Sequence, residues 1–156
     1  QQLYGGNDPS NREPLWRGNA QRGLDPYDTA NSTFKRIQQL TALRARHPPL
    51  RRGDFELLWT TTHVGNETDA GIVAYERSYN GETVLVVINT LACGTGRTHS
   101  STRDGATMMR SSFAAGTRLR NVLTDADTND RFVVGSGGTV AVKVPCQGGK
   151  ILVEDE

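Results

Sequence analysis

The stretch Gly71-Ile-Val-Ala-Tyr-Glu-Arg-Ser-Tyr79-Asn80-Gly81-Glu-Thr83-Val84-Leu-Val-Val-Ile88-Asn89-Thr90 decides the fold. Asn-Gly is the dipeptide of a type I′ turn, whose two central residues take positive φ, and here it joins two runs rich in strand formers, Gly71–Tyr79 and Thr83–Thr90. Val84-Leu-Val-Val-Ile88 is continuously apolar, as a strand covered on both faces would be. Working outward, further strands are predicted at Phe55–Thr61, Thr117–Leu123, Arg131–Val134, Thr139–Val144 and Lys150–Val153, with a polar loop over 92–105. Val140, Val142 and Val144 alternate with Ala141 and Lys143, the mark of a half-buried strand. Seven or more short strands separated by close turn signals predict a mainly β chain, an antiparallel Greek-key β-sandwich over residues 53–156. Seventeen Gly and six Pro fit that turn-rich reading better than a helical bundle.

Upstream the pattern changes. Residues 1–27 form a long polar loop punctuated by Gly5-Gly6, Asp8-Pro9, Pro14, Gly18, Gly23 and Asp25-Pro26. A loop of that length is uncommon unless it is functional or disordered. One helix is predicted from Thr29 to Arg46, with Asp28 as its N-cap. Ala30, Phe34, Ile37, Leu40 and Leu43 fall in one arc of that helix, with Lys35, Gln39 and Arg46 opposite. Arg44 interrupts the apolar arc. Pro48-Pro49 end the helix, because neither can donate to it. Charge divides at the same place: residues 1–52 carry nine Lys/Arg and four Asp/Glu, residues 53–156 nine and thirteen. Two domains are therefore expected, 1–52 and 53–156.

Composition narrows the function classes. The formal charge is +1 and hydrophobic residues make up 35% of the 156, so no surface specialised for nucleic acid or anionic membrane is expected. No apolar run approaches the ~20 residues of a membrane helix, and no basic-then-apolar leader opens the chain. The three His are scattered, leaving no His/Cys metal cluster. There is no Gly-x-Ser-x-Gly elbow. Gly148-Gly149-Lys150 lacks the rest of a phosphate loop and reads as a hairpin turn. Asp125-Ala-Asp127-Thr-Asn129 imitates the first ligands of a calcium loop, but Asp130 and Ser136 stand where Gly and Glu are required, so it reads as a polar turn. Asn31-Ser-Thr33 and Asn66-Glu-Thr68 fit the glycosylation sequon. Cys93 and Cys146 are 53 positions apart; a disulfide and two free thiols are equally compatible with that spacing. Asp54 and Glu56 share the solvent face of their strand, and nothing marks a catalytic pair of carboxylates, so no catalytic residue is assigned.

The opening loop carries the chemistry. In Gly5-Gly6-Asn7-Asp8-Pro9-Ser10-Asn11-Arg12-Glu13 a carboxylate and a guanidinium lie four residues apart. Asp accepts from hydroxyls and Arg donates in a rigid fork, so the pair matches vicinal diols of a sugar. Tyr4 and Trp16 offer flat apolar faces for sugar rings. The plain alternative is that Asp8 and Arg12 pair only with each other to hold the turn.

These residues carry a resemblance. The run Gln1-Gln-Leu-Tyr-Gly-Gly-Asn-Asp-Pro-Ser-Asn-Arg-Glu-Pro-Leu-Trp16 resembles the stretch after the eighth barrel strand in the α-amylase family, glycoside hydrolase family 13. Phe34-Lys-Arg-Ile-Gln-Gln-Leu-Thr-Ala-Leu-Arg44 and His47-Pro-Pro-Leu-Arg-Arg-Gly53 resemble that family's last barrel helix and its exit. Gly71–Arg77 and Val84–Asn89 resemble the first hairpin of the β domain behind the barrel. The resemblance implies the C-terminal part of a secreted enzyme that cleaves α-1,4-glucans with retention, 1–52 closing a (β/α)8 barrel. It implies that Asp8 and Arg12 hold a glucose unit on the non-reducing side of the cut, and that the catalytic carboxylates lie on earlier barrel strands. The chain alone would be inactive and would hold no cofactor, while the parent enzyme carries Ca2+ on other segments. A cyclodextrin-forming or other glucan-transferring enzyme of the family is the alternative, as is a non-catalytic carbohydrate-binding or structural sandwich. The helix face Phe34/Ile37/Leu40/Leu43 is expected to be covered by the sandwich, a second copy or the rest of the barrel.

Overall fold

In the computed structural model, Asn80 and Gly81 take φ of 50° and 83°, so the turn has the type I′ signs its dipeptide dictates. The model describes residues 28–95, 98–123 and 130–155. The turn joins β2 (Ile72–Tyr79) and β3 (Glu82–Asn89), paired antiparallel from Tyr79↔Glu82 out to Ile72↔Asn89. Seven further strands complete the β1–β9 part of the chain: β1 (Asp54–Trp59), β4 (Thr98–Ser100), β5 (Thr102–Arg103), β6 (Thr107–Arg110), β7 (Arg118–Asn121), β8 (Arg131–Val133) and β9 (Thr139–Val140). β10 (Lys143–Pro145) and β11 (Gly149–Glu154) follow.

One sheet runs β1-β2-β3-β11-β7-β8, with every neighbour antiparallel. Opposite it stand the pair β10-β4 and the trio β5-β6-β9. The chain leaves the large sheet after β3, returns as β7-β8, leaves again, and finally inserts β11 between β3 and β7. This is the antiparallel sandwich expected from the sequence. Its inner core gathers Ile72, Ala74, Leu85, Val87, Leu119 and Leu152 from the large sheet with Met109, Val140, Val142 and Val144 from the other layer. All of these are 0–2% exposed, so burial of apolar area there supplies the main stabilisation.

A bulge sets the edge of this core. Leu57 pairs with Tyr75, but Trp59 pairs with Ala74, a register shift within β1. Strict alternation would leave Trp59 on the same face as Leu57. The extra residue turns the indole inward instead, to 8% exposure, while Leu57 stays 53% exposed.

The predicted polar loop at 92–105 is corrected: it contains β4 and β5, and β6 follows it. β4 and β5 carry no apolar run, and hydrogen bonds help to place them, whereas β6 contributes Met109 to the core. Ser101 N–H donates to Val142 O (3.1 Å), Ser101 Oγ donates to Val140 O (3.3 Å) and accepts from Val142 N–H (3.0 Å). The same hydroxyl splits the predicted strand 139–144 into β9 and β10.

The chain divides into two compact units, Gln1–Ala42 and Leu43–Glu156. Helix α1 spans Ser32–Arg46, three residues shorter at its start than predicted. Asn31, not Asp28, caps it: Thr33 N–H donates to Asn31 Oδ1 (2.8 Å), while Asp28 Oδ1 holds Ala30 N–H in the preceding turn. Arg44 and Arg46 lie in its last turn, where cations suit the helix dipole. Pro48-Pro49 end α1 as predicted, but Pro49 then opens a one-turn helix, α2 (Pro49–Arg52), from the position where a missing N–H costs nothing. Arg44, the flaw in the apolar arc, has a task here. Its guanidinium donates to Leu50 O (2.6 Å), and Arg77 donates to Leu50 O and twice to Gly53 O. The two arginines satisfy the orphan carbonyls at the end of α2.

Leu43 closes the apolar face of α1 and belongs to the second compact unit. Leu43 is 6% exposed and packs with Leu50, Val84, Val86, Ile151 and Val153. Phe34, Ile37 and Leu40 are exposed in the isolated chain.

Candidate functional site

Asp8 and Arg12, the predicted sugar-binding residues, lie outside the described residues, as do Tyr4, Trp16 and the calcium-loop mimic at 125–129. The described part places four other polar constellations.

The first is centred on Asp69, whose side chain is 1% exposed. One oxygen accepts from His63 Nδ1 (2.6 Å); the other accepts from Trp59 Nε1 (3.2 Å) and from Arg103 Nε (3.2 Å) and Nη2 (3.0 Å). Arg103 also stacks over the Trp59 ring, 5.0 Å from its centroid. Burial alone would raise the Asp69 carboxyl, but the hydrogen bonds and charges of His63 and Arg103 outweigh it, so the group sits below its ordinary value of 3.8. The node pins the segment between β1 and β2 to β5. With both oxygens saturated, it is built for holding rather than for chemistry.

The second is a buried carboxyl on its own. Glu76 follows Ile72 and Ala74 on the inner face of β2 and is 2% exposed. Its oxygens accept the Ser112 N–H, at 3.1 Å each, and the Ser112 hydroxyl also lends it a hydrogen bond. Desolvation, with the Glu56 charge across the strand pair (Glu56↔Glu76), holds its pKa above the ordinary value of 4.5. A raised carboxyl beside an ionised one is the pattern of a glycosidase acid and its partner. Burial overrules that reading, since an acid this enclosed cannot reach a leaving oxygen. No motif marks Glu76 in the sequence; its one signal is the alternation Ile72, Ala74, Glu76, which places it on the inner face.

The third is a groove of about 790 Å3 lined by the β2–β3 hairpin, residues 112–117 and the end of β11. His47 Nδ1 donates to Glu82 Oε1 (2.7 Å) at its edge, and His47 Nε2 is buried with no hydrogen-bond partner among the described residues. The fourth is Asn89, whose amide N–H2 reaches Val144 O (3.1 Å) and His99 Nδ1 (3.3 Å) while His99 Nε2 faces Gly65 O (3.3 Å). Both side chains are buried and satisfied.

Cys93 and Cys146 form a disulfide, Cα atoms 5.1 Å apart, which ties the segment after β3 to the β10–β11 turn. Asp54 and Glu56 are both exposed, as read from the sequence. Among the described residues no three His, Cys, Asp or Glu converge to hold a metal ion. Among them, too, no helix is long and apolar enough to cross a membrane.

Comparison with known proteins supplies the class. No family model matches the chain. An oligo-1,6-glucosidase of Halalkalibacterium halodurans is 42% identical over 59 residues, 38% of this chain and 9% of that protein. A cyclomaltodextrinase of Geobacillus thermopakistaniensis is 31% identical over 88 residues, 56% of this chain and 13% of that protein. An Anoxybacillus alpha-amylase crystal structure superposes with a TM-score of 0.64 and 28% identity over 97% of this chain and 26% of its own. The similarity is thus to proteins of the α-amylase family, glycoside hydrolase family 13, as the sequence motifs indicated. More particularly, the fold matches the C-terminal β domain of alpha-amylases. The chain spans about a tenth of the length of the curated relatives it matches and about a quarter of the solved structure.

Proposed function

We propose that this chain is the C-terminal portion of a secreted α-amylase-type glycoside hydrolase that cleaves α-1,4-glucans such as starch with retention of configuration. The observation that carries the reading is the likeness to the Anoxybacillus alpha-amylase, which takes in 97% of the chain. Residues 1–52 then supply the last loop and helix of a (β/α)8 barrel, and 53–156 the sandwich behind it. Active sites of such barrels form at the C-terminal ends of the strands, which assigns the loop containing Asp8 and Arg12 to the wall of the glucan cleft. Asp8 accepts from, and Arg12 donates to, the hydroxyls of one glucose unit, fixing the glucan's register relative to the cut.

Retaining cleavage needs a nucleophilic carboxylate and an acid/base carboxyl about 5–5.5 Å apart. On this reading both belong to barrel strands outside the chain. The disulfide Cys93–Cys146 supports secretion, since such bridges persist in oxidising compartments.

Two measurements test the proposal. The 156-residue chain incubated with soluble starch releases no reducing ends; measurable release refutes the assignment. In the complete enzyme, Asp8→Ala and Arg12→Ala each lower kcat/KM on maltoheptaose by about 10–100-fold, the worth of one charge-assisted hydrogen bond. Product analysis of the same reaction separates hydrolysis from transfer, and an α-anomeric first product identifies retention.

A further inference from the structure

Nine Asn stand in the chain, and Asn80 alone is followed by Gly. A backbone nitrogen can attack the side-chain carbonyl of the Asn before it and close a five-membered ring, with the advantage of an intramolecular nucleophile. A side chain on the attacking residue crowds that closure, and Gly has none. The fold leaves this position open. Asn80 and Gly81 are exposed at the tip of the β2–β3 hairpin, and a Cβ on Gly81 would meet nothing within 4 Å. Asn31, Asn89 and Asn121 each accept a backbone N–H at Oδ1. The Asn80 side chain makes no hydrogen bond among the described residues, so it turns freely. Exposed tips also open locally at low free-energy cost, which lets the chain sample the ring-closing geometry without unfolding.

We propose that Asn80 is a self-modifying site: the Gly81 nitrogen converts it to a succinimide, which water opens to Asp and isoaspartyl forms, the second loosening the hairpin. The Gly81 N–H gives its proton to a solvent base, and the nitrogen bonds to Asn80 Cγ. The Cγ–Nδ2 bond breaks, and ammonia leaves with a proton from water. Water then adds to one of the two ring carbonyls. Cleavage of the new N–Cγ bond gives Asp. Cleavage between the same nitrogen and the backbone carbonyl carbon of residue 80 gives isoaspartate, with the chain now running through Cγ. Only water and base are consumed, so the step quickens as pH rises. His47, Glu82, Arg120, Glu154 and Asp155 line the groove that Asn80 borders. Carboxylates outnumber cations there, which repels hydroxide and slows the step without stopping it.

The fold treats the two products differently. Asp-Gly already occupies such a turn at Asp104-Gly105, with φ of 53° and 66° and Ala106 N–H donating to Arg103 O (3.1 Å). Asp at position 80 therefore leaves the hairpin standing. Isoaspartate inserts a carbon into the backbone of a two-residue loop whose register, Tyr79↔Glu82, has no room for it. Pairing at the tip is lost, together with the hydrogen bond between Ser78 Oγ and Thr83 Oγ1 (2.9 Å). Ala74↔Val87, both in the inner core, stays paired.

The test holds the 156-residue chain in mildly alkaline buffer for weeks, maps its peptides by mass and detects isoaspartate by enzymatic methyl transfer. Position 80 should exchange NH2 for OH about tenfold faster than any other Asn, a difference worth about 1.4 kcal/mol of barrier. Both products should appear there. In the aged chain, amide exchange over residues 78–84 should quicken about tenfold, with the Leu85 and Val87 amides unchanged. Asn80→Asp should leave that exchange at the level of the fresh chain. Asn80→Gln, which must close a six-membered ring, should stay unmodified at position 80. Gln147 takes φ of 47° in this fold, so Gln suits the turn; thermal unfolding checks that both variants keep the sandwich. The chain in urea gives the rate without the turn. Modification at position 80 no faster than at the other Asn, or seen only in urea, overturns the site. Isoaspartate at position 80 with unchanged exchange over 78–84 overturns its effect on the hairpin, as does equal loosening by Asn80→Asp.

Discussion

The two faces of the six-stranded sheet differ although the sequence of β3 treats them alike. Inward, Leu85 and Val87 are 0% exposed and meet a second layer of strands. Outward, Val84 and Val86 are also buried, under Leu43 and Leu50, but the apolar surface continues past that cover. Phe55 and Leu57 on β1 are 63% and 53% exposed, and the Phe55 ring rests against Tyr75 with centroids 5.0 Å apart. The inner face is sealed within Leu43–Glu156, so it carries the cohesion of the sandwich. Among the described residues of Leu43–Glu156, the outer face is sealed where α2 and the end of α1 reach. An apolar run in sequence thus reports that a strand is covered twice, not how far each cover extends.

The comparison breaks most sharply at Asp69. Asp69→Ala would leave Arg103 and His63 facing a pocket emptied of its carboxylate, beside the inner core residue Trp59. Removing one partner of a buried, hydrogen-bonded charge cluster costs about 3–5 kcal/mol, read as a lower urea midpoint. The folded-state pKa of Asp69 lies below its unfolded value, so its contribution is present above about pH 4 and fades as pH falls through the folded value. The variant should therefore lose the part of the wild-type acid sensitivity that lies below pH 4. A cost under about 1 kcal/mol, the size of an exposed ion pair, would show that the node is ornament rather than anchor.

A paired truncation measures the two faces directly. Leu85→Ala opens a cavity in the inner core and should cost about 2–5 kcal/mol. Leu57→Ala removes a side chain that is more than half exposed and should stay within about 0.5 kcal/mol. Equal losses in chemical denaturation would mean that the outer face near β1 is covered after all in solution.

How much of this was legible follows from how local each signal is. The β2–β3 hairpin was readable because Asn80-Gly81 states its own turn type and the flanking runs state their own strands. The end of α1 was readable from two prolines. Asn31 displaced Asp28 as the cap because both are good caps three residues apart, a choice that local sequence leaves open. β4 and β5 were missed because contacts distant in sequence place them, such as Ser101 with Val142, 41 positions away, and β6 because a four-residue strand with Met109 as its one buried apolar residue carries too short a pattern. The Asp69 node escaped for the same reason, since Arg103 lies 34 positions from its partner. The groove assembles four separated segments, and the one local motif among them, Asn80-Gly81, states a turn and not a site. The reverse holds for Asp8 and Arg12, which a local motif nominates and which lie outside the described residues.

The smallest effect concerns Glu76, the one carboxylate among the described residues that the inner face buries without a cationic hydrogen-bond partner. Its pKa is raised in the fold, so the folded state holds the proton more tightly than the unfolded chain. Stability from this group is therefore full below its ordinary value of 4.5 and declines as pH rises through the folded value. Asp69 has the opposite sign, so the two acids of the inner face oppose each other across the acidic range. Glu76→Gln keeps an oxygen for Ser112 N–H but carries no charge at any pH. The variant should match the wild type near pH 4 and be the more stable of the two at pH 7, where the wild type carries a buried charge. Urea midpoints at the two pH values check it. A variant less stable than wild type at pH 7 would mean that Ser112 holds ionised Glu76 well enough to offset its desolvation, and that the inner face tolerates charge better than its dryness implies.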